Sequence, residues 1–122
     1  MLSDRSAKKS AVKKAEDLLK LPVRIGGIEL GRPVDLLIDR ERPRAVGFDV
    51  LCGDEAHRFL PFVAVRLQDD AIEIDSPFLL LDFAQVDFYR HQATTLRELN
   101  GDGRDLVVGE DGTIERLEPL SR

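Results

Sequence analysis

The sequence predicts a mainly β protein: a small antiparallel β-barrel, preceded by a basic helix and followed by a helix and a β-hairpin. Short apolar segments recur with turn residues between them, which is the pattern of a small antiparallel sheet. Such a sheet is most stable when it curls and closes, because closure leaves no long strand edge unpaired. Apolar residues at helical spacing lie before and after this strand-rich stretch.

The composition fits one compact domain and excludes several protein classes. The chain has 122 residues, of which 43% are hydrophobic and 6% aromatic, so its core must be mainly aliphatic. This length excludes most large enzyme scaffolds, and this hydrophobic fraction excludes a fully disordered chain. An uninterrupted apolar run such as residues 78–81 is far too short to span a membrane. The single cysteine, Cys52, indicates a reducing compartment, so we expect a soluble, cytoplasmic protein without a transmembrane segment.

Charge divides the chain into a basic head and an acidic body. Residues 1–20 carry six basic and three acidic side chains and residues 21–122 carry twelve and twenty, which gives net charges of +3 and −8. All lysines lie in the head, so we place a boundary between Leu21 and Pro22. The predicted parts are a basic helix or tail over residues 1–21, the barrel over 22–80 and a C-terminal extension over 81–122.

The end of the head has the spacing of a short amphipathic helix. Four apolar residues recur three and four positions apart: Val12, Ala15, Leu18 and Leu19. So short a helix is marginal by itself in water. Three interpretations stay open: a solvated helix or tail resting on the body, peripheral contact with anionic lipid or RNA, and docking onto the acidic body of the same or a neighbouring chain.

Strands are predicted from Pro22 onward. A hairpin covers residues 31–52, with a polar connector at 39–44. Further strands cover residues 57–65, with a bend at the proline within them, and 71–75. The alternation in the second strand of the hairpin predicts one buried face, formed by Val46, Phe48, Val50 and Cys52.

Four segments of this region stand in the order and spacing of a known family: LGRPVDLLID at 30–39, AVGFDV at 45–50, FLPFVAV at 59–65 and AIEI at 71–74. The first has a glycine followed by an apolar strand that ends in aspartate, and the second is its partner strand. Residues 22–80, about half of the chain, therefore resemble the PRC-barrel domain. This small β-barrel is shared by the cytoplasmic domain of the photosynthetic reaction centre H subunit and the C-terminal domain of the bacterial ribosome maturation factor. The resemblance implies a scaffold whose loops form the working surface.

Helical spacing returns after the break at Ser76 and Pro77, in Phe83, Val86, Tyr89, Ala93, Leu96 and Leu99. Asp82 with Gln85 fits a capping box at the start, and Asn100 with Gly101 fits a helix stop. Thr95 with Glu98 fits a second capping box. One helix with a cap in its interior and two helices with a kink between them are equally open.

The C-terminal residues 105–117 predict a hairpin with Asp111 and Gly112 at its turn. The segment GRDLVV at 103–108 aligns with residues 31–38 across a two-residue gap, so the tail resembles the opening hairpin of a second, truncated unit. Its backbone donors and acceptors need partners. We hypothesise that the hairpin either extends the barrel or completes an interface with a second copy, as a homodimer.

Few residues carry catalytic or metal-binding chemistry. His57 and His91 are the only histidines, whereas a metal site usually needs three or four convergent ligands. Cys52 near His57 suggests a thiol nucleophile, but its place on an apolar face favours a small buried side chain. Residues 100–105 lack the glycine and an oxygen ligand of a calcium loop, and no phosphate-binding glycine motif occurs. We therefore predict no enzyme activity, no cofactor and no metal.

The sequence favours a non-enzymatic interaction module that binds another protein and a second copy of itself. The candidate binding residues lie in the connector, at the next strand start and on the helix: Arg40, Arg42, Arg44, His57, Arg58, Phe88 and Tyr89. Direct nucleic-acid binding is not expected, because the acidic body repels phosphate and stacking residues are scarce. Two alternatives stay open: a ribosome- or RNA-associated adaptor, which the resemblance implies, and a small enzyme that uses His57 with a nearby carboxylate.

Overall fold

The computed structural model describes residues 12–82, 84, 87 and 91–120, and it is mainly β, which confirms the predicted class. The strands and helices with defined bounds are β1 (Val12–Lys14), α1 (Ala15–Leu18), β2 (Val23–Ile25), β3 (Ile28–Asp39), β4 (Ala45–Cys52), β5 (His57–Pro61), β6 (Arg66–Leu67), β7 (Ile72–Glu73), β8 (Ala93–Thr95), α2 (Leu96–Gly101), β9 (Arg104–Gly109) and β10 (Ile114–Pro119). Short 3₁₀ turns occupy Phe62–Ala64 and Pro77–Leu79.

The larger sheet has the strand order β5-β4-β3-β2-β7-β6, and β8 pairs with β3 beside this path. Neighbouring strands are antiparallel except β2 and β7. The predicted first hairpin is β3 and β4, and the predicted bend lies where β5 ends at Pro61 and the first 3₁₀ turn begins. Among the strands that the structure describes, no ladder joins β5 to β6, so closure into a barrel stays a prediction.

The main core lies against one face of this hairpin. Leu36, Phe48 and Val50 are fully buried there, and the ring of Phe48 stacks on that of Phe62 with 5.5 Å between centroids. Cys52 is half-buried and packs against the same cluster. The alternation in β4 therefore correctly predicts the burial of Phe48 and Val50 on one face.

A β-bulge changes the face of one residue in β4. The register between β3 and β4 shifts between Leu37 and Ile38, which leaves Val46 as the extra residue. Val46 packs with Leu37 and Phe59 in a second apolar cluster, separate from the main core. The prediction that Val46 shares the buried face of Phe48 is therefore wrong, because the bulge interrupts the two-residue period.

The end of the basic head is a strand followed by one helical turn. β1 pairs antiparallel with β9, and Ala15–Leu18 are the helical part of the described head residues, so the prediction of helix at Val12 is wrong. The reason is a long-range contact. Without β1, the backbone donors and acceptors on that edge of β9 would lack partners, and the extended backbone of β1 supplies them. Ala15 and Leu18 are fully buried in the main core with Leu106 and Val108 of β9. The described part of the head therefore docks onto its own chain.

The C-terminal helical region is divided by a strand. Helical backbone occurs at Ala84, Asp87 and residues 91–92, and β8 then intervenes before α2 begins. Helical backbone thus occurs on both sides of β8, which favours two helices over one, with a strand rather than a kink between them. Gln85, the second half of the predicted cap with Asp82, lies outside the described residues, as do positions 83, 86 and 89.

Both predicted signals of α2 are present. The hydroxyl of Thr95 accepts the N–H of Glu98, and the Glu98 carboxylate accepts the N–H of Thr95, which is the predicted capping box. The helix ends at Gly101, and Gly103 takes the left-handed conformation at φ +79°. The stop therefore lies within two residues of its predicted place.

The predicted C-terminal hairpin is confirmed as β9 and β10, with the turn at Asp111 and Gly112. The carboxylate of Asp111 accepts the N–H of Thr113 at 3.0 Å, which closes the turn. Together with β1, the hairpin forms a three-stranded sheet in the order β1-β9-β10. The inner strand β9 is thus paired on both edges within one chain.

The two hairpins are built alike. When Asp105 is laid on Asp35, the pairs formed by residues 105–108 of β9 fall on those formed by residues 35–38 of β3. Each ladder carries a bulge at the same place, with Glu115 as the extra residue in β10 and Val46 in β4. The likeness between residues 103–108 and 31–38 in sequence therefore has a counterpart in the backbone.

A short strand leading into a helix lies along one edge of each hairpin; we call β8–α2 and β1–α1 the straps. Oδ1 of Asp35 accepts the N–H of Arg97 at 3.1 Å, and Oδ1 of Asp105 accepts the N–H of Glu16 at 3.1 Å. Both aspartates are buried, so each supplies a charged acceptor to the first turn of a helix. The strap that precedes each hairpin along the chain packs on the other hairpin.

The two hairpin turns contact each other reciprocally. The N–H of Ala45 donates to the carbonyl of Gly112 at 2.7 Å, and the N–H of Ile114 donates to the carbonyl of Pro43 at 2.8 Å. Ala45 and Ile114 are equivalent positions, since each pairs at the far side of its bulge. The hairpins are thus related by an approximate two-fold axis that passes between their turns.

Candidate interaction surface

The structure does not bring the predicted site residues into one place. Arg40, Arg42 and Arg44 lie exposed in the connector before β4, whereas His57 and Arg58 begin β5 beside the end of β4. The length of β4 separates these two groups by roughly 20 Å. Phe88 and Tyr89, the predicted helix face, lie outside the described residues.

The connector is ordered by local bonds and by the second hairpin. Oδ1 of Asp39 accepts the N–H groups of Glu41 at 2.7 Å and Arg42 at 3.3 Å, which makes a tight turn. Arg44 forms a backbone bridge with Thr113. The three arginines therefore lie on an ordered loop.

An open cavity of about 500 Å³ lies beside this turn, lined by connector residues together with Val46, His91, Gln92 and Ala93.

Charge at the connector also reaches the turn of the second hairpin. The pKa of the Asp111 carboxyl lies below its usual range, chiefly because the backbone N–H of Thr113 donates to it. The nearby charge of Arg44 contributes in the same direction. The carboxylate form of Asp111 is thus favoured in the folded protein.

His57 has a buried partner that the sequence analysis did not identify. Its Nδ1 lies 2.8 Å from Oδ1 of Asp49, which is 2% exposed. The sequence predicted a single buried face for β4, and Asp49 lies on the other face, which the cluster around Phe59 also covers. A buried carboxylate needs such a donor, and the contact fixes the imidazole ring.

The neighbouring residues have ordinary structural roles. Arg58 bonds the carboxylate of Asp54 at 2.7 Å. The pKa of Asp54, in the turn before β5, is lowered chiefly by the hydrogen bond from the N–H of Ala56. The hydrogen bond from Arg58 lowers it further. Burial raises the pKa of the Cys52 thiol, which disfavours the thiolate. These observations support Cys52 as a packing residue rather than a nucleophile.

Within residues 12–82, 84, 87 and 91–120, no group of three or more His, Cys, Asp and Glu side chains is arranged to hold a metal ion. In the same residues, no helix has both the length and the apolar character needed to cross a membrane.

The outer edge of β10 is the candidate binding surface, because it exposes an apolar side chain where the first hairpin buries one. Leu117 pairs with the buried Leu106, yet its own side chain is 52% exposed. Its equivalent in the first hairpin, Phe48, is fully buried: Leu60 of β5 lies opposite it, and its ring stacks on Phe62 in the main core. Among the described residues, no strand takes the place of β5 along β10. We call residues 115–119 the β10 edge.

Backbone direction makes this edge competent to pair. Leu120 donates its N–H to the carbonyl of Gly103 on the β9 side at 2.8 Å. Since backbone groups alternate between the two sides of a strand, Leu117 directs its N–H and carbonyl away from β9. The β10 edge therefore offers a donor and an acceptor beside an exposed apolar side chain. The sequence predicted an interface at this hairpin but did not identify this edge.

Comparison with known proteins adds no relative to this description. No protein-family model matches the chain, and no curated protein matches its sequence.

Proposed function

We propose that the protein is a non-enzymatic interaction module of the PRC-barrel type. In this proposal the larger sheet is a scaffold, and other protein chains bind at its periphery. The observation that carries the proposal is the β10 edge, which no described strand covers, whereas β5 covers the equivalent edge of β4. Open strand edges bind extended segments of other chains through backbone hydrogen bonds.

The predicted arginines lie close enough to extend this surface. The N–H of Ile114, at the start of β10, donates to the carbonyl of Pro43 within the connector. Arg40, Arg42 and Arg44 therefore flank one end of the β10 edge. A partner that adds a strand there meets exposed positive charge at that end, which favours an acidic flanking residue in the partner.

The test compares partner binding by the unmodified protein and by two variants. Leu117→Lys places a charge at the centre of the β10 edge, and Val63→Lys places the same charge at another exposed apolar residue, 80% exposed in a 3₁₀ turn. Each protein is immobilised and exposed to an extract of its source cells. Proteins that are retained are purified and their affinities for all three versions are measured by calorimetry.

We expect at least one protein that binds the unmodified chain and Val63→Lys alike but binds Leu117→Lys at least tenfold more weakly. If every retained protein binds the three versions equally, the β10 edge is not the binding surface. If the retained component is RNA and it is lost on substitution of the connector arginines, the ribosome- or RNA-associated adaptor replaces this proposal.

A further inference from the structure

Resting on this proposed function, we propose that one chain bound at the β10 edge is a second copy of the protein. The two β10 strands pair antiparallel about a two-fold axis through Leu117, and the β1-β9-β10 sheets of both copies join into one six-stranded sheet. Each copy then supplies the strand that the other lacks. The structure of the first hairpin and the charges of β10 both support this arrangement.

The pairing of β4 with β5 is an internal template for the interface. In the first hairpin, Phe48 of β4 lies opposite Leu60 of β5, and the two side chains are fully buried. Leu117 occupies the position of Phe48 in the second hairpin. In the proposed dimer, Leu117 of the partner subunit takes the position of Leu60, so an apolar side chain again lies opposite an apolar side chain.

The charges of β10 select this register. Arg116 and Glu118 flank Leu117, and they share one face of the strand, where Nε of Arg116 bonds the Glu118 carboxylate at 2.8 Å. With the axis through Leu117, each Arg116 lies opposite Glu118 of the partner subunit. An axis through Arg116 would place two arginines opposite each other, and an axis through Glu118 would place two glutamates there, and such like-charge pairs are destabilising.

The backbone sets the strength of the contact. Leu117 lies opposite its own copy as a hydrogen-bonded pair, which exchanges two N–H···O=C bonds across the axis. Pro119 has no N–H, so the ladder gains few bonds beyond this centre. One short strand buries less area than a typical stable interface of about 1,600 Å², so we expect a dimer that forms at high and dissociates at low micromolar concentration.

The first test measures the mass of the assembly and locates the contact between the two copies. It uses the full chain with Cys52→Ser, which removes the native thiol. Light scattering should give a mass that rises with concentration towards twice that of one chain. Leu117→Cys should form a disulfide dimer under mild oxidation, because hydrogen-bonded residue pairs have Cα atoms about 5.5 Å apart, within disulfide range. Val63→Cys, which is more exposed, should remain largely monomeric.

The second test uses charge exchange, because the register makes a specific claim. Arg116→Glu alone places Glu opposite Glu118 of the partner subunit and should weaken dimerisation at least tenfold. The double variant Arg116→Glu/Glu118→Arg restores opposite charges in the same register and should recover the dimer. Urea denaturation of each variant at low concentration shows whether the monomer has kept its stability.

Several outcomes would overturn the inference. One is a chain that stays monomeric at millimolar concentration. Another is a dimer whose stability does not change on substitution of residues 116–118. A third is a monomer in which the Leu117 amide exchanges its hydrogen only after residues 1–11 are deleted. In the last case the chain covers its own edge. The function proposed above fails separately, since it requires a different protein whose binding depends on Leu117, whatever the mass of the chain.

Discussion

The first and second hairpins share one design and differ in their outer edge. Both have a buried aspartate that caps a strap, a bulge at the same place and a turn docked on the other hairpin. In the first, β5 covers the outer strand, and both faces carry buried apolar clusters. In the second, no strand of the described residues covers the outer strand. The comparison indicates that the shared features stabilise the fold. The outer edge of the second hairpin is the part that differs, and it is the proposed binding surface.

The strap β1–α1 precedes the first hairpin along the chain but packs on the second. We therefore expect the first hairpin to depend on the second. The largest effect we predict is that of ending the chain at Gly101, which removes β9 and β10. Leu106, Val107 and Val108 are at most 3% exposed, so their loss opens the core, and β1 loses its only described partner strand. We expect loss of cooperative unfolding in urea, followed by far-ultraviolet circular dichroism. A truncated chain that unfolds cooperatively would mean that the hairpin is an appendage.

The covered edge of the first hairpin predicts a position-specific effect of a single methyl group. A Cβ on Gly47 would lie 2.5 Å from the ring of Phe59 and 2.6 Å from the carbonyl of Leu60. Gly47→Ala should therefore destabilise the protein by about 3 kcal/mol, through overpacking between β4 and β5. The equivalent residue in the second hairpin is the exposed Arg116, whose substitution by alanine should change stability by less than about 0.5 kcal/mol.

These two variants are compared by urea denaturation at the same low protein concentration. Equal losses would show that the outer edge of β10 is covered in the free chain. A small loss at position 47 would show that β5 moves aside easily, so that the two hairpins differ less than their structures indicate.

The buried aspartates are predicted to have similar local effects at different straps. Asp105→Ala removes the acceptor for the N–H groups of Leu106 and Glu16, and should cost about 2 kcal/mol. Asp35→Ala should cost at least as much, because Asp35 accepts from Leu36 and Arg97 and has further contacts. Replacement by asparagine keeps an acceptor, so the losses should be smaller.

Amide hydrogen exchange separates this role from a general loss of stability. Asp105→Ala should speed exchange in α1 more than in α2, and Asp35→Ala should do the reverse. Uniform acceleration in both straps for either variant would contradict the assignment of one aspartate to each strap.

Features set by local sequence were largely predictable. The capping box of α2, the Asp111–Gly112 turn and the hairpin at 31–52 depend on residues a few positions apart, and all three are present. The repeat also left a local trace, since residues 103–108 align with 31–38. The Asp111–Gly112 turn predicted the second hairpin, but no sequence signal singled out residues 115–119 as a surface.

Features set by distant contacts were not predictable. Val12–Lys14 has a helical pattern but is extended, because its partner β9 lies some ninety residues further along the chain. A single buried face was predicted for β4, but a second cluster covers the other face, where Asp49 contacts His57. The open state of the β10 edge is likewise a property of the whole sheet, which alternation within one strand does not report.

The smallest predicted effect concerns pH and the turn of the second hairpin. The N–H of Thr113, aided by Arg44, lowers the pKa of Asp111 in the folded state below its unfolded value of about 3.9. A lowered folded pKa means that the carboxylate stabilises the fold above the unfolded value, and that this contribution is lost as the pH falls through the folded value. Asp111→Asn should therefore reduce stability slightly at neutral pH and should flatten its decline under acid. Urea denaturation at several pH values measures this, with Asp102→Asn as an exposed control, and parallel pH curves for Asp111→Asn and the unmodified protein would show that the turn does not depend on the charge.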